Sequence, residues 1–213
     1  MTKASIVQVV DNKIVPSNGA VTLFDVGDSE ADTTVIGIDY AVRKMDKFHR
    51  DAVALRSNKV DASVQAFLLG ADGKVIGEPG FVYYGQPKFE GGIVELRPVG
   101  PLSKFHTQLN LKLSGIPANV GRIALVSSVH EAKARKHHIG IFGAMSLYLC
   151  KGDLNPVSIQ IYRQFGFGSG AVVLGEIFAA DGKWQFLPGG EMVAGGLEEL
   201  CGRFGIEVQE EQD

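Results

Sequence analysis

The chain has 213 residues, a formal net charge of −3 and 45% hydrophobic residues, enough to bury one sizeable core. So small a charge supplies no general field for nucleic acid. No run approaches the ~20 apolar residues that a membrane-spanning helix needs.

The opening MTKASIVQVVDNK has no charged leader followed by a long apolar run, so a cytoplasmic protein is expected. The first third reads as short strands at 5–10, 19–24 and 34–42. Between the last two lies an acidic loop with Asp25, Asp28, Glu30 and Asp32. The stretch 43–50 is mixed and mostly basic and lacks a clear period. Residues 60–70 form a strand that turns at Asp72-Gly73 into 74–77. This hairpin echoes the Ala-Asp-Gly-Lys of 180–183 without amounting to a repeat.

Residues 81–84 and 92–97 are further strands, followed by a loop on Pro98, Gly100 and Pro101. Leu109, Leu111 and Leu113 alternate until Gly115 and Pro117 break the run. RIALVSSV at 122–129 is apolar enough to be a central strand covered on both faces. HEAKARKHH at 130–138 reads as a helix, with its acid early and its bases late, as the helix dipole prefers. Strands at 144–150 and 157–163 lead into the C-terminal stretch.

That stretch, 171–208, specifies the most. Val172 and Leu174, then Trp184 and Phe186, show the two-residue alternation of half-buried strands. The Asp181-Gly182 between them is the strongest short-range hairpin signal, because both central residues of a type I′ turn need positive φ. A glycine-rich link then leads to a helix over 193–204. Its stripe is Val193, Leu197, Leu200, Cys201 and Phe204, with Glu199 one turn before Arg203. Gly205 stands at the cap position, and a final strand follows. About a dozen strands and two short helices predict a β-sandwich of two mostly antiparallel sheets. With no linker in view, a single domain spans 1–213.

Candidate chemistry is sparse. The glycines of Gly166-Phe-Gly-Ser-Gly170 lack dinucleotide spacing and precede a strand, so they make a strand connection. His130-Glu131 opens like a zinc-protease helix, but Ala134 stands where the second ligand belongs, and His137 lies a turn too far. No Ser, His and Asp share a nucleophile-elbow context. Cys150 and Cys201 lack metal spacing and a basic neighbourhood, and read as core thiols in a reducing compartment. The acidic residues of 25–32, with Asp39 and Asp61, offer oxygens for a hard cation only if separate loops converge. The basic stretch of 43–50, with Lys59, reads as solvated.

Four runs carry a resemblance: AFLLGADGKVIGEPGFVYYGQ, SGIPANVGRIALVSSVHEAKARKHHIG, VLGEIFAADGKWQFLPGGEMVAGGLEELCGRFGIEV and, more weakly, TTVIGIDYAV. Over about 14–208 the chain resembles the TerD family of bacterial tellurite-resistance and stress proteins. The resemblance implies a β-sandwich, a place in a tellurite, oxidative-stress and phage-resistance system, and no known catalysis. In many members it also implies calcium held between acidic loops. Here the pattern departs. Ala41 falls where an Asp is expected and Asp39 stands two places early. Lys59, Asp61 and Ser63 occupy the second acidic run, and Lys104 and His106 replace acids in the third. His130-Glu131 keeps the acid at the first helix.

Asp39, Asp61 and Glu131, with His130 beside them, are therefore the expected remnants of a calcium site that is weak or lost, and no other cofactor is expected. The leading expectation is a non-enzymatic module that binds other tellurite-resistance or stress proteins, soluble or membrane-associated. Nucleic acid and direct membrane insertion are not expected. A calcium- or small-ligand-binding sensor is the alternative, and an enzyme acting on tellurite or thiols would need an activated cysteine.

Overall fold

The computed structural model describes residues 5–10, 13–15, 19–28, 32–42, 62–97, 105–150, 156–166 and 168–207. The first strands are β1 (Ser5–Val10), β2 (Lys13–Val15), β3 (Val21–Asp25), β4 (Thr34–Val42) and β5 (Ala62–Leu69). Next come β6 (Phe81–Val82), β7 (Lys88–Phe89), β8 (Val94–Arg97), β9 (Thr107–Leu111) and β10 (Arg122–Val129). A single helical turn, α1 (Ala132–Arg135), precedes β11 (Phe142–Cys150), β12 (Pro156–Arg163), β13 (Ala171–Ala180) and β14 (Lys183–Val193), and α2 (Gly196–Arg203) closes the order.

The strands form two antiparallel sheets. One has the order β2-β1-β12-β11-β4-β9-β8-β7 and the other β3-β14-β13-β10-β5-β6. Between them, Ile36, Ile38, Leu147 and Leu149 of the larger sheet share one core with Leu68, Ile123, Leu125, Val172 and Leu174 of the smaller. This is the expected sandwich.

The smaller sheet buries its outer face as well. Phe67, Leu69, Val126 and Val173 pack there with Leu200, Cys201 and Phe204 of the C-terminal helix region. Every residue of β10 after Arg122 is consequently buried, as its apolar run predicts. The same cover corrects the reading of β13. Its first five residues are all buried, because Val172 and Leu174 enter the inter-sheet core while Ala171 and Val173 meet the helix side.

At the β13–β14 turn, Asp181 and Gly182 have φ of 51° and 70°, the mirror-image turn that the sequence asks for. The helix ends in a Schellman motif. Gly205, at φ 82°, donates its N–H to the Gly202 carbonyl at 3.2 Å, and Ile206 donates to Cys201 at 2.8 Å. Arg203 reaches Glu199 at 3.1 Å. The helix end is stitched to the β5–β6 connection by the Val75 N–H on the Phe204 carbonyl at 2.9 Å and by the Lys74 ammonium on the Arg203 carbonyl at 2.8 Å.

Several expected elements shorten or move. No strand forms at 74–77: only Val75 bridges Leu69, and Gly77, at φ 118°, leads into a 3-10 turn over Glu78–Gly80 with Pro79 inside it. After Val82 the chain folds back, with Tyr83 bridging Gln86. The helix expected over 130–138 is one turn, bracketed by positive φ at Glu131 (47°) and Lys136 (55°). That stretch has no apolar stripe to bury, and an isolated short helix is not stable without one. The glycine-rich link of 188–190 is strand, since β14 runs to Val193. Helix α2 starts three residues late, and Ile206 and Glu207 are not in a strand. Leu197 is half-buried, while Val193, Leu200, Cys201 and Phe204 of the expected stripe are buried. The basic stretch 43–50 and Lys59 lie outside the described residues.

Candidate functional site

Asp39 sits on β4 opposite Ser146 of β11. The chain reaches β9 through His106, whose N–H donates to the Ile38 carbonyl at 2.9 Å, and this fixes the imidazole beside Asp39. His106 Nδ1 meets Asp39 Oδ1, while the Tyr40 N–H points at the same nitrogen from 3.4 Å. One nitrogen cannot donate and accept along both lines. The shorter contact decides, and Nδ1–H donates to the carboxylate. The Tyr40 ring lies edge-on to His106, with centroids 5.6 Å apart, and its hydroxyl is 3.2 Å from Ser127 Oγ on β10. A tyrosine of one sheet thus bonds a serine of the other directly beneath the Asp39–His106 pair. His106 is thus a side-chain hydrogen-bond partner of Asp39 from within the same chain.

Glu131 lies past the end of β10. Its Oε2 accepts from Arg135 Nε at 2.6 Å, and its Oε1 is 3.4 Å from His130 Nε2. The hydrogen bond and charge of Arg135 hold the Glu131 carboxyl below its ordinary range, with a smaller contribution from His130. Both carboxylates are solvent-reachable, at 40% exposure for Asp39 and 50% for Glu131, so water screens both pairs and neither is a strong contributor to stability. Asp61 lies outside the described residues. Among the described residues no three of His, Cys, Asp and Glu converge as a metal cage. Asp39, His130 and Glu131 are therefore not gathered into one site. In the acidic loop, Asp32 accepts from the Ser114 N–H at 2.9 Å and from its Oγ–H at 2.7 Å, bonds that hold its carboxyl low.

Two clefts flank the first turn of α2, and both include Leu197 and Glu198. One, of about 810 Å³, lies against α1 and the glycines at 168 and 170. Its walls mix signs, with Lys136 and His137 against Glu131 and Glu198. The other, of about 750 Å³, lies between α2 and the edge strand β6 and is bordered by Phe81, Tyr83 and Tyr84. Sequence reasoning passed over these aromatics, although the signal was there: Phe81 and Tyr83 are two apart in an extended run, so they face the same way.

Gly37 leaves room for an aromatic ring. A Cβ at this position would stand 2.5 Å from the Phe105 ring, which packs with Val35 and Cys150 and against Tyr148.

Two antiparallel sheets packed face to face, with a helix over the smaller one, define an all-β sandwich. The TerD domain matches residues 17–204, and the chain belongs to the TerD family. It is 30% identical over 161 residues to the tellurium resistance protein TerD of an Alcaligenes species, covering 73% of this chain and 83% of that protein. General stress protein 16U of Bacillus subtilis (strain 168) is 27% identical over 181 residues, covering 82% of this chain and 88% of that protein. The crystal structure of a protein of unknown function, SAV2460, superposes with a TM-score of 0.51 at 17% identity, over 76% of this chain and 89% of that one, a likeness of fold alone. No helix among the described residues is long and apolar enough to cross a membrane.

Proposed function

We propose that this chain is a non-enzymatic tellurite- and stress-resistance protein that acts in the cytoplasm as a binding module for another protein of a resistance complex. Family membership and the names of its relatives support the setting. The observation that carries the mode of action is the pairing of the surviving acids. Asp39 is engaged by His106 and Glu131 by Arg135, so each already has a side-chain partner in the same chain. A calcium ion needs six to eight oxygens with net negative charge, and here it would first have to displace those partners. The buried thiols support the non-enzymatic reading: Cys201 is 3% exposed, and burial together with Glu198 pushes its thiol up to about 11, away from the thiolate that a redox nucleophile requires.

The test is thermal unfolding with about 1 mM calcium against chelator, with Asp61→Ala alongside. A site of roughly millimolar affinity adds under ~0.5 kcal/mol at that concentration. A rise of many degrees that Asp61→Ala abolishes would instead establish the calcium sensor.

A further inference from the structure

The cleft between α2 and β6 has a built aromatic wall. Phe204 and Phe67 are tilted against each other with centroids 4.8 Å apart. Phe67 stacks on Phe81 at 4.5 Å and 19°, and Phe81 on Tyr83 at 4.6 Å and 15°. Tyr84 stands edge-on to Tyr83 at 5.4 Å. The ladder runs from Phe67, which is fully buried, out to Tyr84, which is 69% exposed. Its inner rungs are held by the core, so the outer rings are presented on a rigid base, with little side-chain freedom left to lose on binding.

The rim has one sign. Glu78, Glu198 and Glu207 border the cleft, and no Lys or Arg does so among the described residues. All three glutamates are exposed, and none is in an ion pair with a described residue. Lys74 donates to the Arg203 carbonyl, Arg203 pairs Glu191 and Glu199, and Arg97, which lines a neighbouring cleft with Tyr84, pairs Glu95. His130 also lines the cleft, with its Nε2 3.4 Å from Glu131.

We propose that this cleft receives a basic segment of a partner protein, with an Arg or Lys side chain laid on the Tyr83–Tyr84 faces and ringed by Glu78, Glu198 and Glu207. This rests on the binding-module reading and names the chemistry of the partner. Aromatic faces attract cations through their quadrupole, most strongly where water is partly excluded, and a rim of carboxylates draws a basic chain in and repels acidic ones. The mode is side-chain capture and not strand addition. Although β6 is the last strand of its sheet, the Gln86 side-chain amide already donates to the Phe81 carbonyl at 2.9 Å and to the Glu78 carbonyl at 3.0 Å. The acceptors that an added strand would use are occupied.

The probe is a capped peptide of alternating Arg and Ala, titrated into the full chain by calorimetry at low and at physiological salt, with its citrulline counterpart and spermidine as comparisons. The arginine peptide binds, weakens as salt rises, and outcompetes both comparisons. Tyr84→Ala loosens it about two- to fivefold while Tyr84→Phe retains it, the range for an exposed cation–π contact. Glu198→Gln with Glu207→Gln flattens the salt dependence. Absence of binding, or binding unchanged in all these variants, overturns the assignment of the cleft. Spermidine binding as tightly as the peptide overturns the protein segment as occupant. In each case the binding-module reading still stands or falls by the calcium titration, so the two failures are distinct.

Discussion

Tyr162 of β12 donates its phenol to the carbonyl of Leu174 on the facing sheet. The reason lies in β13. On the β10 side, Leu125 pairs Gly175 and Val126 pairs Val173; on the β14 side, Val173 pairs Glu191 and Gly175 pairs Pro188. Leu174 is skipped by both neighbours, a bulge that leaves its peptide outside the ladder. The phenol satisfies it from across the core, and burial drives the Tyr162 hydroxyl far above its ordinary pKa, so it remains a donor. Tyr162→Phe keeps the ring and orphans a buried carbonyl. The expected loss is ~1–3 kcal/mol in urea unfolding. A loss below about 0.5 kcal/mol would mean that the bond contributes nothing net.

Gly37 is small because Phe105 lies on it. Gly37→Ala forces that ring outward, an overpacking cost of ~1–3 kcal/mol. The cause can be isolated by a double-mutant cycle. With Phe105→Ala already present, the added methyl should cost far less, and the coupling between the two changes should exceed about 0.5 kcal/mol. Additive losses would contradict the contact.

Leu200 and Leu197 share the stripe of α2 but differ in burial. Leu200→Ala should cost ~2–5 kcal/mol, the range for a buried leucine. Leu197, half-buried at the cleft wall, should cost clearly less. If the order were reversed in urea unfolding, the helix would be rotated from its described position.

Cys150 and Cys201 are buried and not in a disulfide. The raised pKa of Cys201 keeps it a thiol throughout the physiological range, and the thiolate becomes abundant only as pH approaches about 11. Labelling of the native protein near pH 8 should therefore run at least about a hundredfold slower than in denaturant, from protonation alone. Equal rates in the two states would place the sulfur at the surface.

The legible parts of this chain were those in which a local rule and the burial agreed. The apolar run of β10, the Asp181-Gly182 turn and the Gly205 cap each depend on a few adjacent residues, and each formed. The errors came where distant residues decide. Nothing near Val172 announces that α2 will cover Val173, so full burial of the first five residues of that strand was not visible. Pro188-Gly189-Gly190 reads as a link by composition, yet β14 runs through it, because Pro188 and Glu191 on either side of the two glycines pair with β13. At the candidate site, the residue types at Ala41, Lys59, Ser63, Lys104 and His106 were plain position by position, whereas the capture of Asp39 by His106 was not. That pair joins residues 67 apart in sequence, and only the β4–β9 register brings them together.

The order of strands also fixes when folding can finish. β1 pairs with β12 and β3 pairs with β14, so an early strand in each sheet waits for a late one. As the chain leaves the ribosome, neither can complete its ladder until most of the polypeptide has emerged. The Lys74 contact with Arg203 spans 129 residues in the same way. Closing such long loops before any reward is gained makes assembly slow, on the millisecond-to-second scale typical of β-sandwiches. Meanwhile the nascent strands expose unpaired edges to other chains. A release point upstream of β14 would leave β3 without its hydrogen-bonded neighbour, so such a fragment should depend on chaperones more than the 213-residue chain does.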